Sequence, residues 1–460
     1  AVGSAIRVDT RGREVMRILP RLNENVNEEW ISDKTRHVVD GLRVQRLDQP
    51  YVREGGRLVP ASWSAAFAAI VARLKPAAPA RIGAIAGDLA SVEEMFALKD
   101  LMARLGSKNL DCRQDGAAFD PKWGRASYLF NATIAGIEQA DAILIVGANP
   151  RREAAVLNAR IRKRWRAGPC AIGLVGEREN LTYPYQYLGA GPESLAELAA
   201  GRGEFAATLK AAKNPLILVG SGALARPDGA AILALAAKAA IALGAVKDGW
   251  NGFSVLHHVA SRVGGLDIGF VPGEGGLDAA AMTAAGALDV VFLLGADEVE
   301  AAPGAFVVYV GTHGDRGAHR ADVILPGAAY TEKSGIYVNT EGRVQMAARA
   351  AFPPGDARED WAILRALSDR VGHKLPYDSL GALRTALFAA YPHLQRIDTI
   401  AAGNAADVEK LAGLGGTPDR AVFGAAIEDF YFTNPIARAS AVMAECSAIA
   451  EGAATMTAAE

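Results

Sequence analysis

Residues 141–147 read D-A-I-L-I-V-G, five consecutive apolar side chains between an aspartate and a glycine. A strand buried on one face alternates apolar and polar residues. A run this uniform is apolar on both faces and belongs inside a sheet covered on both sides. The chain then passes through Ala148, Asn149 and Pro150 into a basic helical pattern over 152–166. The arrangement recurs at 81–87 (R-I-G-A-I-A-G), 171–176, 215–220, 289–295, 306–311 and 321–325. After the first of these, Ser91 stands as a helix cap with Glu94 at the capping-box position. Met95, Leu98, Met102 and Leu105 then form one apolar stripe that ends at Gly106. Helical crossovers between doubly buried strands require parallel pairing, so the sequence predicts a doubly wound α/β fold with mostly parallel sheets. Ligands of such sheets bind beyond the carboxyl ends of the strands, here the glycine turns.

The strands fall into early, central and late groups, which divides the chain. Residues 1–50 read as a small β-rich docking segment, with a hairpin around the turn 9–13 and a polar, irregular stretch at 23–34. Residues 51–140 form a first α/β domain completed by 321–400, and 141–320 a second, Rossmann-like one. Residues 401–460 read as a helical tail, frayed from Gly452 onward.

Composition excludes several classes. The 460 residues carry a net charge of −2, with 50% hydrophobic and 22% charged side chains. That balance supports a large core and gives no dominant basic face for nucleic acid. The longest stretch without a charged residue, 58–72, is too short to span a bilayer. Cys112, Cys170 and Cys446 are scattered, so the chain alone supplies neither a disulfide framework nor four cysteine ligands for a cluster. The pair His257–His258 reads as packing or solvent histidines.

Three passages carry candidate chemistry. Gly220-Ser221-Gly222-Ala223-Leu224-Ala225 fits G-x-G-x-x-A after a strand, a turn that lets a pyrophosphate approach a helix N-terminus. Arg226, Pro227 and Asp228 follow, so the helix is expected only beyond the motif, and a plain tight turn is the competing reading. Residues 160–166, R-I-R-K-R-W-R, form a basic helix flank around Trp165, read as a surface for docking a protein partner. Residues 321–345, A-D-V-I-L-P-G-A-A-Y-T-E-K-S-G-I-Y-V-N-T-E-G-R-V-Q, place Thr331, Glu332, Lys333 and Ser334 at a strand's carboxyl end. A ligand site, and an interface or internal hydrogen-bond network without any ligand, explain those four equally well.

This last passage resembles the molybdopterin oxidoreductase family, in which a similar A-D-V-x-L-P … E-K-x-G-x-x-x-N-x-E-G-R-x-Q stretch occurs. Gly147-Ala148-Asn149-Pro150 is likewise similar to that family's G-x-N-P. Residues 14–40 (E-V-M-R-I-L-P-R-L-N-E-N-V-N-E-E-W-I-S-D-K-T-R-H-V-V-D), 131–141, 158–165 and 429–446 resemble one branch more closely. That branch is the large iron–sulfur subunit of NADH-quinone oxidoreductase (respiratory complex I), in its alphaproteobacterial and mitochondrial form.

The resemblance implies a molybdoenzyme fold without its C-terminal β-barrel, acting as a structural part of an oxidoreductase that passes electrons from NADH to quinone and couples this to ion translocation. Its implied partners are the other peripheral-arm subunits and the iron–sulfur domains of the same subunit, with no nucleic acid and no direct membrane insertion. The implied location is peripheral, on the cytoplasmic face of the bacterial inner membrane or the mitochondrial matrix side. Family enzymes hold a 4Fe-4S cluster on four cysteines, followed by Cys-x-Lys-Gly. Here Ser4 and Ser32 stand near two of those cysteine positions and Lys34 fills the lysine position. A hydroxyl does not replace a thiolate, so no cluster is expected here, and the 2Fe-2S and 4Fe-4S clusters are expected upstream of Ala1. Cys112 is the sole cysteine in the loop 109–123, where family enzymes present a metal ligand. No catalytic, cofactor-binding or metal-binding residue is therefore carried over. The alternative is an active molybdenum or tungsten pterin oxidoreductase of formate dehydrogenase type, with Cys112 on the metal.

Overall fold

The computed structural model describes residues 1–301 and 303–457. Its strands in chain order are β1 (Ile6–Arg11), β2 (Glu14–Pro20), β3 (Tyr51–Glu54), β4 (Arg57–Pro60), β5 (Ile82–Ala86), β6 (Asn109–Asp111), β7 (Ala142–Val146), β8 (Ala171–Val175), β9 (Gln186–Gly189), β10 (Pro215–Val219), β11 (Val246–Lys247), β12 (Trp250–Asn251), β13 (Phe253–Val255), β14 (Val290–Leu294), β15 (Phe306–Gly311), β16 (Val323–Pro326), β17 (Gly335–Val338) and β18 (Val344–Ala347). Two sheets organise them. One has five parallel strands in the order β13-β10-β7-β8-β9. The other has seven, in the order β4-β3-β16-β15-β14-β5-β6, parallel except for the antiparallel edge made by β3 and β4.

Every residue of β5, β7, β10 and β14 is buried, as uniformly apolar runs require of central strands. The helix Val92–Arg104 turns Met95, Leu98, Leu101 and Met102 onto the large sheet's core, and its start is fixed by the Ser91 N–H donating to Glu94 at 3.0 Å. The helix Gly229–Ala242 covers the smaller sheet with a mainly alanine surface, which lets the helices Pro192–Ala199 and Ala405–Ala412 approach closely. None of the sheets among the described residues closes into a barrel.

Several expectations are corrected. β14 and β15 lie within 141–320 yet pair in the seven-stranded sheet, so the chain returns to its first sheet by residue 290, not at 321. Uniform apolar strands carry no label of the sheet they join. The basic helix 152–166 is two pieces, Pro150–Glu153 and Ala155–Arg166, because Ala154 leaves the helical region at φ −153°. The turn after β10 is itself helical over Ser221–Leu224 before the main helix begins at Gly229. The tail is helical at Ala405–Ala412, Pro435–Arg438 and Ala441–Thr457, but most of 413–434 is an extended strap without regular structure. The last helix thus runs into residues read as frayed, and 458–460 lie outside the described residues.

Candidate functional site: the ligand ends of two sheets

A doubly wound sheet opens its ligand crevice where neighbouring strands send their crossovers to opposite sides. In the five-stranded sheet that point lies between β7 and β10; in the seven-stranded sheet it lies between β5 and β14. Glycine turns packed on one another close both. A Cβ added to Gly147 would lie 2.5 Å from the Ala223 Cβ, and one on Gly222 would collide with the Gly424 carbonyl and stand 2.8 Å from the Gly147 oxygen. A Cβ on Gly87 would collide with the carbonyl of Gly295. The G-x-G-x-x-A glycines serve this backbone-on-backbone packing. Beside it runs an open groove of about 460 Å³ lined by Ser221, Arg226, Asp228, Asp419 and Val422.

At the large sheet's switch point a cavity of about 50 Å³ remains, ringed by Asp88, Glu94, Asp297, Tyr309, Lys333 and Asp360 and roofed by Asn434–Ile436. It has room for a water or two, against the roughly 300 Å³ or more of a small-molecule site. Burial pushes Asp88 up to about 7, helped by the Asp115 charge. Burial also takes Asp297 to about 7, although the Tyr309 hydroxyl donates to it at 2.7 Å. For Lys333, burial opposes the charge, but Glu94 at 2.5 Å and Asp360 at 3.3 Å overcome it and drive its pKa well above the usual lysine value.

The polar loop after β16 is therefore an internal network. Lys333 bridges Glu94 and Asp360, while Glu332 takes a bidentate pair from Arg46, both N–O distances 2.6 Å. Downstream, Glu341 pairs with Arg343 at 2.8 Å and accepts the Ile134 N–H at 2.8 Å. Thr331 is buried with its hydroxyl unpartnered, and Ser334 accepts the Arg349 N–H. Sequence spacing missed the carboxylates of this cluster. Asp88, Glu94, Asp297 and Asp360 meet only through topology, and the one local signal was Glu94's capping-box position.

The basic helix flank is partly tied to the chain itself. Arg160 is 3% exposed, paired with Glu138 at 3.0 Å and donating to the Glu24 carbonyl at 2.7 Å. Lys163 pairs with Glu28 and Glu138, and Arg164 donates to the Ala140 carbonyl at 2.6 Å. The two segments read as docking surfaces for partners, 23–34 and 160–166, dock on each other. Arg162, Lys163 and Arg166 remain exposed.

Cys112 is 1% exposed, and burial pushes its thiol up to about 12 with the Asp111 charge adding to the effect. A Cβ on Gly265 would meet its sulfur at 2.7 Å, so the thiol is packed into the chain. His257 is held by its Nε2 on the Tyr128 carbonyl at 2.6 Å, and the His258 Nδ1 lies 3.0 Å from the Ser221 hydroxyl. Burial lowers the first to about 3 and the second to about 4, so both are neutral at pH 7. Ser32 caps the short helix Asp33–His37 by accepting the Thr35 N–H, and the Lys34 ammonium donates to the Phe430 carbonyl at 2.9 Å and the Thr433 hydroxyl at 2.7 Å. Among the described residues no group of three or more His, Cys, Asp or Glu is placed to hold a metal ion.

Two α/β layers with these strand orders and this loop define the class, and comparison agrees. The family model described as Molybdopterin oxidoreductase matches residues 46–370, and the chain belongs to that family. At its ends, residues 1–40 match "NADH-ubiquinone oxidoreductase NDSU1/NuoG-like, 4Fe-4S domain", and 396–446 match the model for the C-terminal region of the same NADH-ubiquinone oxidoreductase component. More particularly, 97% of the chain is 46% identical to the mitochondrial NADH-ubiquinone oxidoreductase 78 kDa subunit of Neurospora crassa. An equal share is 46% identical to the NuoG-type NADH-quinone oxidoreductase subunit of Rickettsia bellii. The chain spans 61% and 64% of the length of these two relatives. Among solved structures, acetylene hydratase from Pelobacter acetylenicus matches 86% of this chain and 72% of its own length, with a TM-score of 0.60 and 13% identity, a likeness of fold.

The residues present do not fit the pterin cofactor that gives the family its name. The five-stranded sheet's switch point is packed with backbone beside its open groove, the seven-stranded sheet's keeps only a small charged cavity, and the one cysteine of the 109–123 loop is a packed, protonated thiol. Residues 1–40 match a 4Fe-4S domain but contain no cysteine, so this segment supplies no thiolate to a cluster.

Proposed function

We propose that this chain is the structural scaffold region of a peripheral-arm subunit of an NADH:quinone oxidoreductase, carrying no redox centre of its own. The clusters that carry electrons in such an assembly, 2Fe-2S and 4Fe-4S, are held outside these 460 residues. The region braces the cluster-bearing domains of the same subunit and docks neighbouring subunits, on the cytoplasmic face of a bacterial inner membrane or the matrix side of a mitochondrial one. Among the described residues no helix is long and apolar enough to cross a membrane, in keeping with a peripheral position. The observation that carries the reading is the loop 331–334: its charged residues sit where a ligand would be met, yet Glu332 and Lys333 are spent on buried partners inside the chain.

The test uses the native assembly. Cys112→Ser is expected to leave NADH:quinone turnover per assembled complex and its iron content unchanged. Lys333→Met is expected to lower the amount of assembled complex without lowering turnover per complex. Stoichiometric molybdenum or tungsten in the purified chain, or turnover that falls with Cys112→Ser, would overturn the proposal.

A further inference from the structure

The extended stretch between the helices Ala405–Ala412 and Ala441–Thr457 crosses the ligand ends of both sheets. Over the five-stranded sheet, the Gly424 carbonyl rests against Gly222 so tightly that no side chain fits there. Phe423 is buried beside it, its N–H donating to the Ala190 carbonyl at 2.9 Å. Arg226, just past the G-x-G-x-x-A turn, donates to the carbonyls of Ala421 at 2.9 Å and Val422 at 3.0 Å and holds Asp228, which accepts the Asp419 N–H at 2.7 Å. Over the seven-stranded sheet, Pro435 and Ile436 roof the acidic cavity. Asn434 caps the turn by accepting the Ala437 N–H at 3.0 Å, and Arg438 pairs with Asp315 at 2.6 Å and Glu298 at 2.8 Å. Between the two ends, Lys34 grips the Phe430 carbonyl and the Thr433 hydroxyl and lies 4.4 Å from the Phe430 ring centroid.

We propose that residues 419–438 form a built-in strap, the chain's own occupant of both ligand mouths, anchored by Arg226, Lys34 and Arg438. The fold shuts itself against a pterin nucleotide by laying its own backbone where the ligand would lie. Lys34 serves as the middle anchor. This inference does not depend on which assembly the chain joins.

Hydrogen exchange read by mass spectrometry on the full-length chain in its native assembly tests it. Lys34→Met keeps the length of the side chain and removes its charge and donors. It is expected to speed exchange about tenfold or more in 419–438 and, together with it, in the turns at 87–90, 147–150, 220–224 and 295–298. Arg226→Gln reads the same quantity from the other anchor should Lys34→Met fail to accumulate, and Arg202→Gln, at an exposed pair with Glu197, serves as the unaffected control. Faster exchange in the strap with all four turns unchanged would make the strap a surface decoration and overturn the proposal. Unchanged exchange everywhere would overturn it as well, since the named residues would then anchor nothing.

Discussion

The two sheets differ in how they close the same kind of opening. Both place a crevice at a strand-order reversal and both pack two glycine turns into it. The five-stranded sheet finishes the closure with main chain: Gly222 against Gly147 and Gly424, beside an open groove. The seven-stranded sheet finishes it with charge, a ring of buried carboxylates around Lys333 under Asn434–Ile436. A closure made of backbone depends on the absence of side chains and is indifferent to pH. A closure made of buried ions depends on every partner being present and on which of them are protonated.

The largest effect is expected at the charged end. Lys333→Met leaves Glu94 and Asp360 buried without their cation, and should cost about 3–5 kcal/mol at pH 7, read as a lowered urea midpoint. A loss no larger than that of an exposed ion pair would break the contrast between the sheets. Next comes glycine replacement. Gly87→Ala meets the Gly295 carbonyl in the turn after β14 and should cost about 1–3 kcal/mol or more, whereas Gly222→Ala meets the strap carbonyl of Gly424 less closely and should cost less. Equal losses would mean that the strap holds its turn as firmly as the two central turns hold each other.

A smaller effect follows from titration. The folded-state pKa of Asp297, about 7, lies above its ordinary value of 3.8. A carboxyl raised in this way makes its full contribution at low pH and loses it as pH climbs from about 4 through 7, because the folded state must then give up a proton it holds more tightly than the unfolded chain does. Asp297→Asn keeps an acceptor for Tyr309 and removes that loss, so it should raise stability at pH 8 by about 1–2 kcal/mol and leave it nearly unchanged at pH 4. The smallest expected change is none: Arg202→Ala, at an exposed pair with Glu197, should leave the midpoint where it was.

Much of this architecture was legible in local pattern. The strands at 82, 142, 171, 215, 290, 306 and 323 announced themselves as apolar runs stopped by a glycine or proline turn, since a doubly covered strand has no polar face to hide. Sheet membership was not legible for 290–311, because both sheets ask for the same kind of strand. Nor did the fate of residues 160–166 follow from composition. Arg160 and Lys163 read as a solvated or docking face, yet their partners Glu24, Glu28 and Glu138 lie in segments whose proximity only the fold creates. The loop 331–334 was legible as special but not as closed, since a carboxylate that meets a ligand and one that meets Arg46 look alike in a sequence.

The pairing of β5 with β14 has a kinetic consequence. Ile82 lies opposite Val290, so the central pair of the large sheet joins segments roughly two hundred residues apart, with the whole five-stranded sheet strung between them. During synthesis that intervening sheet has all its strands before β14 exists, and it can fold while β5 and β6 still wait with an open edge. The smaller sheet's strands are thus complete first, and its folding would shorten the distance its unfinished neighbour must close. The interval before residue 294 leaves the ribosome is when β5, apolar on both faces, stands most exposed to a wrong partner.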